Sequence, residues 1–396
     1  DLTDNVDWST TAPTAVEGNN TVYVRQTDVA GNVSPAQQID FVVDTQSPVA
    51  PTIDLSFEND TGFSSSDYIT SNSNFSVSGV EDGALVEYST DNGDTWSSTA
   101  PTPVQGENTI LVRQTDVAGN LSGHTSLTFV FDTIANAPTV ALTDDSGASN
   151  TDLLTNNGSL TVSATEDGAL IEYSSNGTTW STTQPTATQG SNTVHVRQTD
   201  TAGNVSAAQT ITFTFDSVAP AQPRIQLDND TGISSTDLIS SNGTLLIRGL
   251  AADVQLQYST DNSNWSLNSV TPVEGLNTIW VRQVDRAGNA SPSQSITFTL
   301  DTSAAAPIVS LSNDTGLSGN DRITSDATLN IKVETGALIE YSTDGNTWSV
   351  NAPTASEGSN TVYVRQVDVA GNASAATSFT FVLDTQSKAP NVQLSN

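Results

Sequence analysis

None of the 396 residues is a cysteine, so disulfides, thiolate metal sites and a cysteine nucleophile are all excluded. Stability is left to packing and, beyond that, to metal. Basic residues are nearly as scarce: 11 Lys and Arg stand against 44 Asp and Glu, a formal net charge of −33. Yet charged residues are only 14% of the chain, against about 25% in ordinary proteins. The few charges present are therefore mostly carboxylates. That balance argues against nucleic acid and anionic membrane surfaces as partners, and it suits hard divalent cations, which take oxygen ligands. Calcium is the expected cofactor. No apolar run reaches 18 residues and no basic stretch precedes an apolar one at the N-terminus, so neither a membrane-spanning helix nor a signal peptide is expected within this stretch. The two histidines, His124 and His195, fall at different places and leave nucleophile-base catalysis little to work with. An enzyme is not expected.

What is present in abundance is repetition. Trp8, Trp96, Trp180, Trp265 and Trp348 are spaced by 88, 84, 85 and 83 residues. The same spacings separate Arg25, Arg113, Arg197, Arg282 and Arg365, the aspartates that open D-x-A-G-N, and those that close each unit. Insertions are thus confined to loops elsewhere. A closing D-T or D-S leads into short linkers such as Asp44-Thr45-Gln46-Ser47-Pro48, where proline holds the backbone extended and cannot continue a ladder. Four complete units follow, 48–134, 135–218, 219–303 and 304–387; residues 1–47 are the second half of another and 388–396 begin the next. The half-unit lacks several strands and is expected to be poorly stable alone.

Within a unit, Phe75 to Val80, Ala84 to Tyr88, Thr109 to Gln114 and Ser126 to Phe131 alternate or carry β-branched residues, with Asp-Gly, Asn-Gly and Gly-Asn between them. No useful helical period appears. About seven short strands in such a length predict an all-β, two-sheet sandwich. The repeated tryptophans read as packing anchors, with sugar-stacking platforms as the alternative. Glu87/Arg113, Glu172/Arg197 and Glu340/Arg365 are expected as cross-strand ion pairs, dispensable because Gln257 replaces the acid opposite Arg282.

D-V-A-G-N-x-S before the last strand, F-x-x-D-T at its end, a proline linker and D-N-D-T-G near the next start together resemble the bacterial Ig-like extender repeats of large RTX-type adhesins and biofilm-associated proteins. The resemblance covers essentially the whole chain. It implies tandem immunoglobulin-like β-sandwich domains arranged as an extended rod, extracellular on the bacterial surface and rigidified by calcium near the module junctions. Such arms hold a distal ligand-binding domain away from the cell. Neither a glycine- and aspartate-rich RTX nonapeptide nor a recognisable ligand-binding domain is present.

In such a sandwich the last hairpin lies at the entry end and the first long loop at the exit end. Asp116 should then sit near Asp44, while the loop of Asp60 and Asp67 should face Asp132 and the next hairpin. Asp60, Asp67, Asp132 and Asp200 form one expected calcium set. Asp145, Asp152, Asp216 and Asp285 form the next; Asp230, Asp237, Asp301 and Asp368 the third; Asp314, Asp321 and Asp384 begin another. Converging carboxylates repel without a cation and favour one that takes six to eight oxygens. Asp82 and Asp167 are possible additions, though Ala251-Ala252-Asp253 and Glu334-Thr335-Gly336 stand at their positions in other repeats. The competing reading is that aspartates simply cap turns.

Two motifs invite other readings. Asp60-Thr61-Gly62, Asp230-Thr231-Gly232 and Asp314-Thr315-Gly316 match the D-T-G of aspartic proteases, but they recur in separate sandwiches, so the shared-proton dyad is not expected. Ser89-Thr90-Asp91-Asn92-Gly93-Asp94-Thr95-Trp96 resembles a turn-stabilising Asp-box, in a repeat about twice the length of a propeller blade. The expected function is mechanical: a monomeric, calcium-stiffened spacer of an adhesin, with modules of roughly 40 Å each and four spanning roughly 160 Å. The alternative is a repeated carbohydrate-, ice- or protein-binding module.

Overall fold

The computed structural model describes residues 7–392; residues 1–6 of the first half-unit and 393–396 of the segment opening the next lie outside the described residues. Every named element is a β-strand. In the repeat at 48–134, Thr52–Asp54 pairs antiparallel with Ser76–Ser78. The second sheet runs in the order Ile69–Thr70, Thr125–Phe131, Gly106–Thr115, Leu85–Ser89, and its first pair is parallel while the other two are antiparallel. The same two sheets recur in the repeats at 219–303 and 304–387. In the repeat at 135–218, Thr139–Leu142 pairs with Leu160–Ser163, Leu170–Ser174 with Gly190–Thr199, and Leu154–Thr155 lies parallel to the end of Gln209–Phe215.

Six strands per repeat are seen where about seven are expected, because the last position shrinks to a single antiparallel bridge, Tyr88 with Ser97. Pro101 follows and cannot donate to a ladder. Alternation along Gly106–Thr115 sends Ile110, Val112 and Gln114 inward and leaves Thr109 and Arg113 outward. Ile53, Leu55, Ile110, Val112, Leu127 and Phe129 form the core, with Phe75 and Tyr88 packed on it edge to face. Equivalent clusters form around Phe298 and Phe381. Among the described residues of the half-unit the only paired strands are Gly18–Val24 and Gln37–Val43, so Phe41 is 39% exposed where its counterpart Phe129 is 2% exposed.

Two compact units emerge: Asp1–Thr143 with Ser159–Thr212, and Asp144–Gly158 with Phe213–Asn396. The loop Asp144–Gly158 groups with the later residues, bonding both the hairpin at Arg286 and Ala287 and the strand end at Thr214 and Asp216.

Candidate metal centre at the repeat joints

Three local structures meet where one repeat follows another: the D-T-G loop, the closing aspartate with its linker, and the D-x-A-G-N hairpin of the next repeat.

The hairpin is built by its own aspartate. Asp200 Oδ1 accepts the Asn204 backbone N–H at 2.8 Å and Oδ2 accepts the Asn204 side-chain amide at 2.8 Å. The same amide donates onward to the Asp132 carbonyl at 2.7 Å, so one asparagine ties the hairpin to the preceding repeat. Asn120 reaches Asp44, Asn289 reaches Asp216 and Asn372 reaches Asp301 in the same way. These bonds hold Asp28 and Asp116 below the ordinary carboxyl value, with the asparagine side chain the largest cause. Turn capping thus occupies each oxygen of Asp116, Asp200, Asp285 and Asp368 once.

The D-T-G loop docks on that hairpin. Thr61 Oγ1 donates to the Ala202 carbonyl at 2.9 Å and the Phe63 amide to the Thr201 carbonyl at 3.3 Å. Ser146 and Ala148 repeat these contacts on Ala287 and Arg286, and Thr231 and Ile233 on Ala370 and Val369. Gly62, at φ +103°, allows the approach: a Cβ there would lie 2.0 Å from the Thr201 carbonyl oxygen, and Gly203 on the facing hairpin packs against Gly62 itself.

The first aspartate of the loop is the unusual group. Asp60 is 6% exposed; its Oδ2 accepts the Tyr68 amide at 3.2 Å, and its Oδ1 is buried with no hydrogen-bond partner. Asp145, Asp230 and Asp314 hold the same orphaned oxygen, with Oδ2 on the amides of Leu153, Leu238 and Arg322. Those four amide donors are all non-glycine residues with positive φ, 57–65°. Backbone strain of this kind costs about 1–3 kcal/mol per residue and gathers at functional sites. Burial pushes the Asp60 carboxyl up, and the neighbouring charges of Asp67 and Asp54 push it further. Asp67, Asp152, Asp237 and Asp321 each cap the start of the following short strand, through the amides of Ile69, Leu154, Ile239 and Ile323.

The closing aspartates form a second group. Asp132 Oδ1 accepts the Ile134 amide at 3.0 Å and the Gln105 side-chain amide at 2.5 Å. Asp44, Asp216, Asp301 and Asp384 cap their linkers likewise. Around Asp132 opens a cleft of ≈ 510 Å³ that Asp200, Glu166 and Asp167 also line. At Asp301, burial again raises the carboxyl, followed by the charges of Asp368, Glu274 and Glu334. The four aspartates expected as one set therefore fall into two places, Asp60 with Asp67 and Asp132 with Asp200, connected through the Thr201 and Ala202 carbonyls.

Sequence reading passed over Glu166 and met Glu334 only as a departure from the loop aspartates, yet both accept linker amides, from Asn136 at 2.7 Å and Ala305 at 2.9 Å. It also passed over Gln114, Gln198, Gln283 and Gln366, all at most 1% exposed. Gln366 Nε2 donates to the Ala305 carbonyl at 2.6 Å while its Oε1 accepts the Glu334 amide at 2.7 Å, clamping linker to acidic loop. The signal was the inward phase of Val-Arg-Gln, which places the glutamine on the core side.

Among the described residues no three His, Cys, Asp or Glu side chains stand together closely enough to hold a metal alone. A metal here needs backbone oxygens as well as carboxylates. The orphaned Asp60 oxygen and the all-oxygen donors nearby fit a hard cation of the calcium type.

The tryptophans lie elsewhere. Arg113 stacks 4.0 Å over the Trp96 ring while bonding Glu87 at 2.9 Å, and Trp96 Nε1 donates to the Gly93 carbonyl. The expected ion pairs recur at Arg197–Glu172 and Arg365–Glu340, with Arg282 on Gln257 at 2.8 Å. Asp91 closes the Asp-box turn; the Thr95 hydroxyl, first among its donors, holds its carboxyl down at about 2.

A family model described as bacterial Ig-like domain matches residues 47–133 and 303–385, and a second model of the same description matches 139–217. No curated protein sequence matches the chain. Among solved structures, the chain is similar to part of a 1.5-MDa bacterial ice-binding adhesin studied for host cell surface retention, at 17% identity over 65% of this chain and 99% of that one, TM-score 0.26. It is similar to domains 4–9 of a surface layer protein at 15% identity over 95% of this chain and 66% of that one, TM-score 0.21. A sialic acid binding region of a Streptococcus sanguinis adhesin follows at 16%, covering 72% of this chain and 76% of that chain, TM-score 0.14. Ig-like families of this kind are generally non-enzymatic structural modules.

Proposed function

Because the chain belongs to the bacterial Ig-like domain family, we propose that it is the extender region of a bacterial cell-surface adhesin of the RTX or biofilm-associated type, a calcium-rigidified spacer rather than an enzyme. The observation that carries this reading is the joint, built alike at three successive boundaries from a D-T-G or D-S-G loop, an A-G-N hairpin and a carboxylate oxygen left without a partner. Each joint bonds a loop of one repeat to a hairpin of the next in the same chain, a contact suited to stiffening the link between them.

Asp60 with Asp67, and Asp132 with Asp200 and Glu166, would hold the ions, with carbonyls completing each shell. Calcium supplies two positive charges where carboxylates face one another. Extracellular modules bind it at about 0.1–1 mM; at tenfold excess each site adds roughly 1.4 kcal/mol, enough to stiffen a hinge and too little to drive folding. The left-handed Tyr68 turns its amide onto Asp60 Oδ2, so Oδ1 would be the oxygen offered to a cation. The stacked arginines favour a spacer over sugar binding, because each guanidinium already lies against one tryptophan face.

The test is small-angle X-ray scattering of the chain in calcium and then in chelator, with calorimetric counting of bound ions. A maximum dimension of roughly 160 Å that shortens or becomes heterogeneous on chelation is expected. An unchanged profile with no bound ion sinks the calcium reading and leaves the aspartates as turn caps.

A further inference from the structure

The joints share a backbone but differ in charge. At the joint closed by Asp301, the charges of Asp368, Glu274 and Glu334 act on Asp301, while the loop of Asp230 and Asp237 docks on the same hairpin through the Ala370 and Val369 carbonyls. At the joint closed by Asp216, Ala251 stands where Glu334 does, and Gln189 where Glu274 does. The hairpin there reads Asp285-Arg286-Ala287-Gly288-Asn289, with arginine where the other hairpins carry Val29, Val117, Thr201 and Val369. Arg286 Nη2 lies 3.6 Å from Asp152 Oδ2, on the loop whose Asp145 Oδ1 is orphaned. Ser146 and Ala148 still dock on the Ala287 and Arg286 carbonyls, so the lock is intact while two acids are lost and a cation is gained.

We propose that Arg286 is a built-in cation for the Asp145–Asp152 loop, so that the joint at Asp216 stays locked without calcium while the joints at Asp132 and Asp301 require it. This rests on the calcium reading of the joints. Three effects point the same way. A guanidinium close to a carboxylate pair relieves the repulsion a metal would otherwise relieve. Calcium affinity follows the number of charged ligands, which is lower here. A positive side chain at the mouth repels a divalent ion. Together they weaken calcium at this joint by about tenfold or more. At 59% exposure the ion pair itself adds little to folding, so its effect is on which cation serves the joint. The array then has one joint indifferent to calcium between two that respond to it.

The chain has no native cysteine, so introduced cysteine pairs can carry nitroxide labels on exposed strand positions flanking the Asp216 joint and, separately, the Asp301 joint. Distance distributions are read by pulsed electron resonance in calcium and in chelator. Expected: chelation broadens the Asp301 distribution and leaves the Asp216 one unchanged. Arg286→Val makes the Asp216 joint respond and adds one ion to the calorimetric count, while Arg286→Lys does neither. Val369→Arg makes the Asp301 joint indifferent. If both wild-type joints broaden alike, or Arg286→Val changes neither distribution nor count, the proposal is overturned with the calcium reading intact. If neither joint responds and no ion binds, the calcium reading itself has failed.

Discussion

Around Phe298 the third complete repeat is apolar and close-packed, with Leu227, Ile279, Val281 and Ile296 buried. In the same repeat the loop at Asp230 has a buried carboxylate oxygen without a partner, a left-handed leucine and a glycine pressed on the next hairpin. One region maximises contact and satisfies its groups; the other keeps a polar atom unsatisfied. The difference separates what folds a repeat from what bonds its loop to the next hairpin, and substitutions should fall cleanly on one side or the other.

The largest effect should come from Phe298→Ala, which removes a large core side chain and should lower the stability of that repeat by about 3–5 kcal/mol, read as its denaturant midpoint, with joint contacts unaltered. Gln366→Leu comes next, because it sits in both regions at once. It strips partners from the Ala305 carbonyl and the Glu334 amide, about 1–3 kcal/mol for each buried group. Hydrogen exchange at the linker near Ala305 should accelerate more than exchange in the Thr377–Leu383 strand. Gly232→Ala attacks the joint alone: its Cβ meets the Val369 carbonyl and its positive φ is strained, so Ile233 should lose amide protection. The penalty should be about 1–2 kcal/mol, with melting of the repeat at 304–387 unchanged.

The smallest effect is on pH. Burial, then Asp368, Glu274 and Glu334, raise the Asp301 carboxyl in the folded state. A raised carboxyl binds its proton more tightly folded than unfolded, so stability is highest at low pH and falls as pH rises through the folded value. In chelator the joint at Asp301 should therefore loosen by a measurable margin as pH rises from below the ordinary carboxyl value of 3.8 to neutral. Scattering or melting in calcium should show a smaller change.

Most of the sandwich was legible because it depends on a period. Five tryptophans in register, alternation from Thr109 to Gln114 and glycine turns required only counting, and the ion pair of Glu87 and Arg113 followed from the strands. The joint was legible only as a concentration of aspartates. Which oxygen of Asp60 is orphaned depends on the φ of Tyr68, a position where nothing in the residue type announces a left-handed backbone. Thr61 and Phe63 of the loop donate to the carbonyls of Ala202 and Thr201, and every residue has a carbonyl. Gln114 was visible in phase but reads as a surface residue by type. Asp200, expected to bind metal with turn capping as the competing reading, gives both oxygens to an asparagine of its own turn.

The parallel pair in each repeat has a consequence under load. Ile69–Thr70 stands near the start of its repeat and the end of Thr125–Phe131 near its exit, and they are joined by the Val130 amide on the Tyr68 carbonyl and the Asp132 amide on the Thr70 carbonyl, both 2.8 Å. Tension applied from one end of the chain to the other pulls such parallel strands in opposite directions along their length. Once the upstream pairing of Thr52–Asp54 with Ser76–Ser78 has given way, the two bonds are sheared together rather than peeled one after the other. The equivalent bonds at Leu238 and Ser240, and at Arg322 and Thr324, set the same threshold in later repeats. A chain pulled by flow would lengthen in repeat-sized steps, each released by the failure of one such pair.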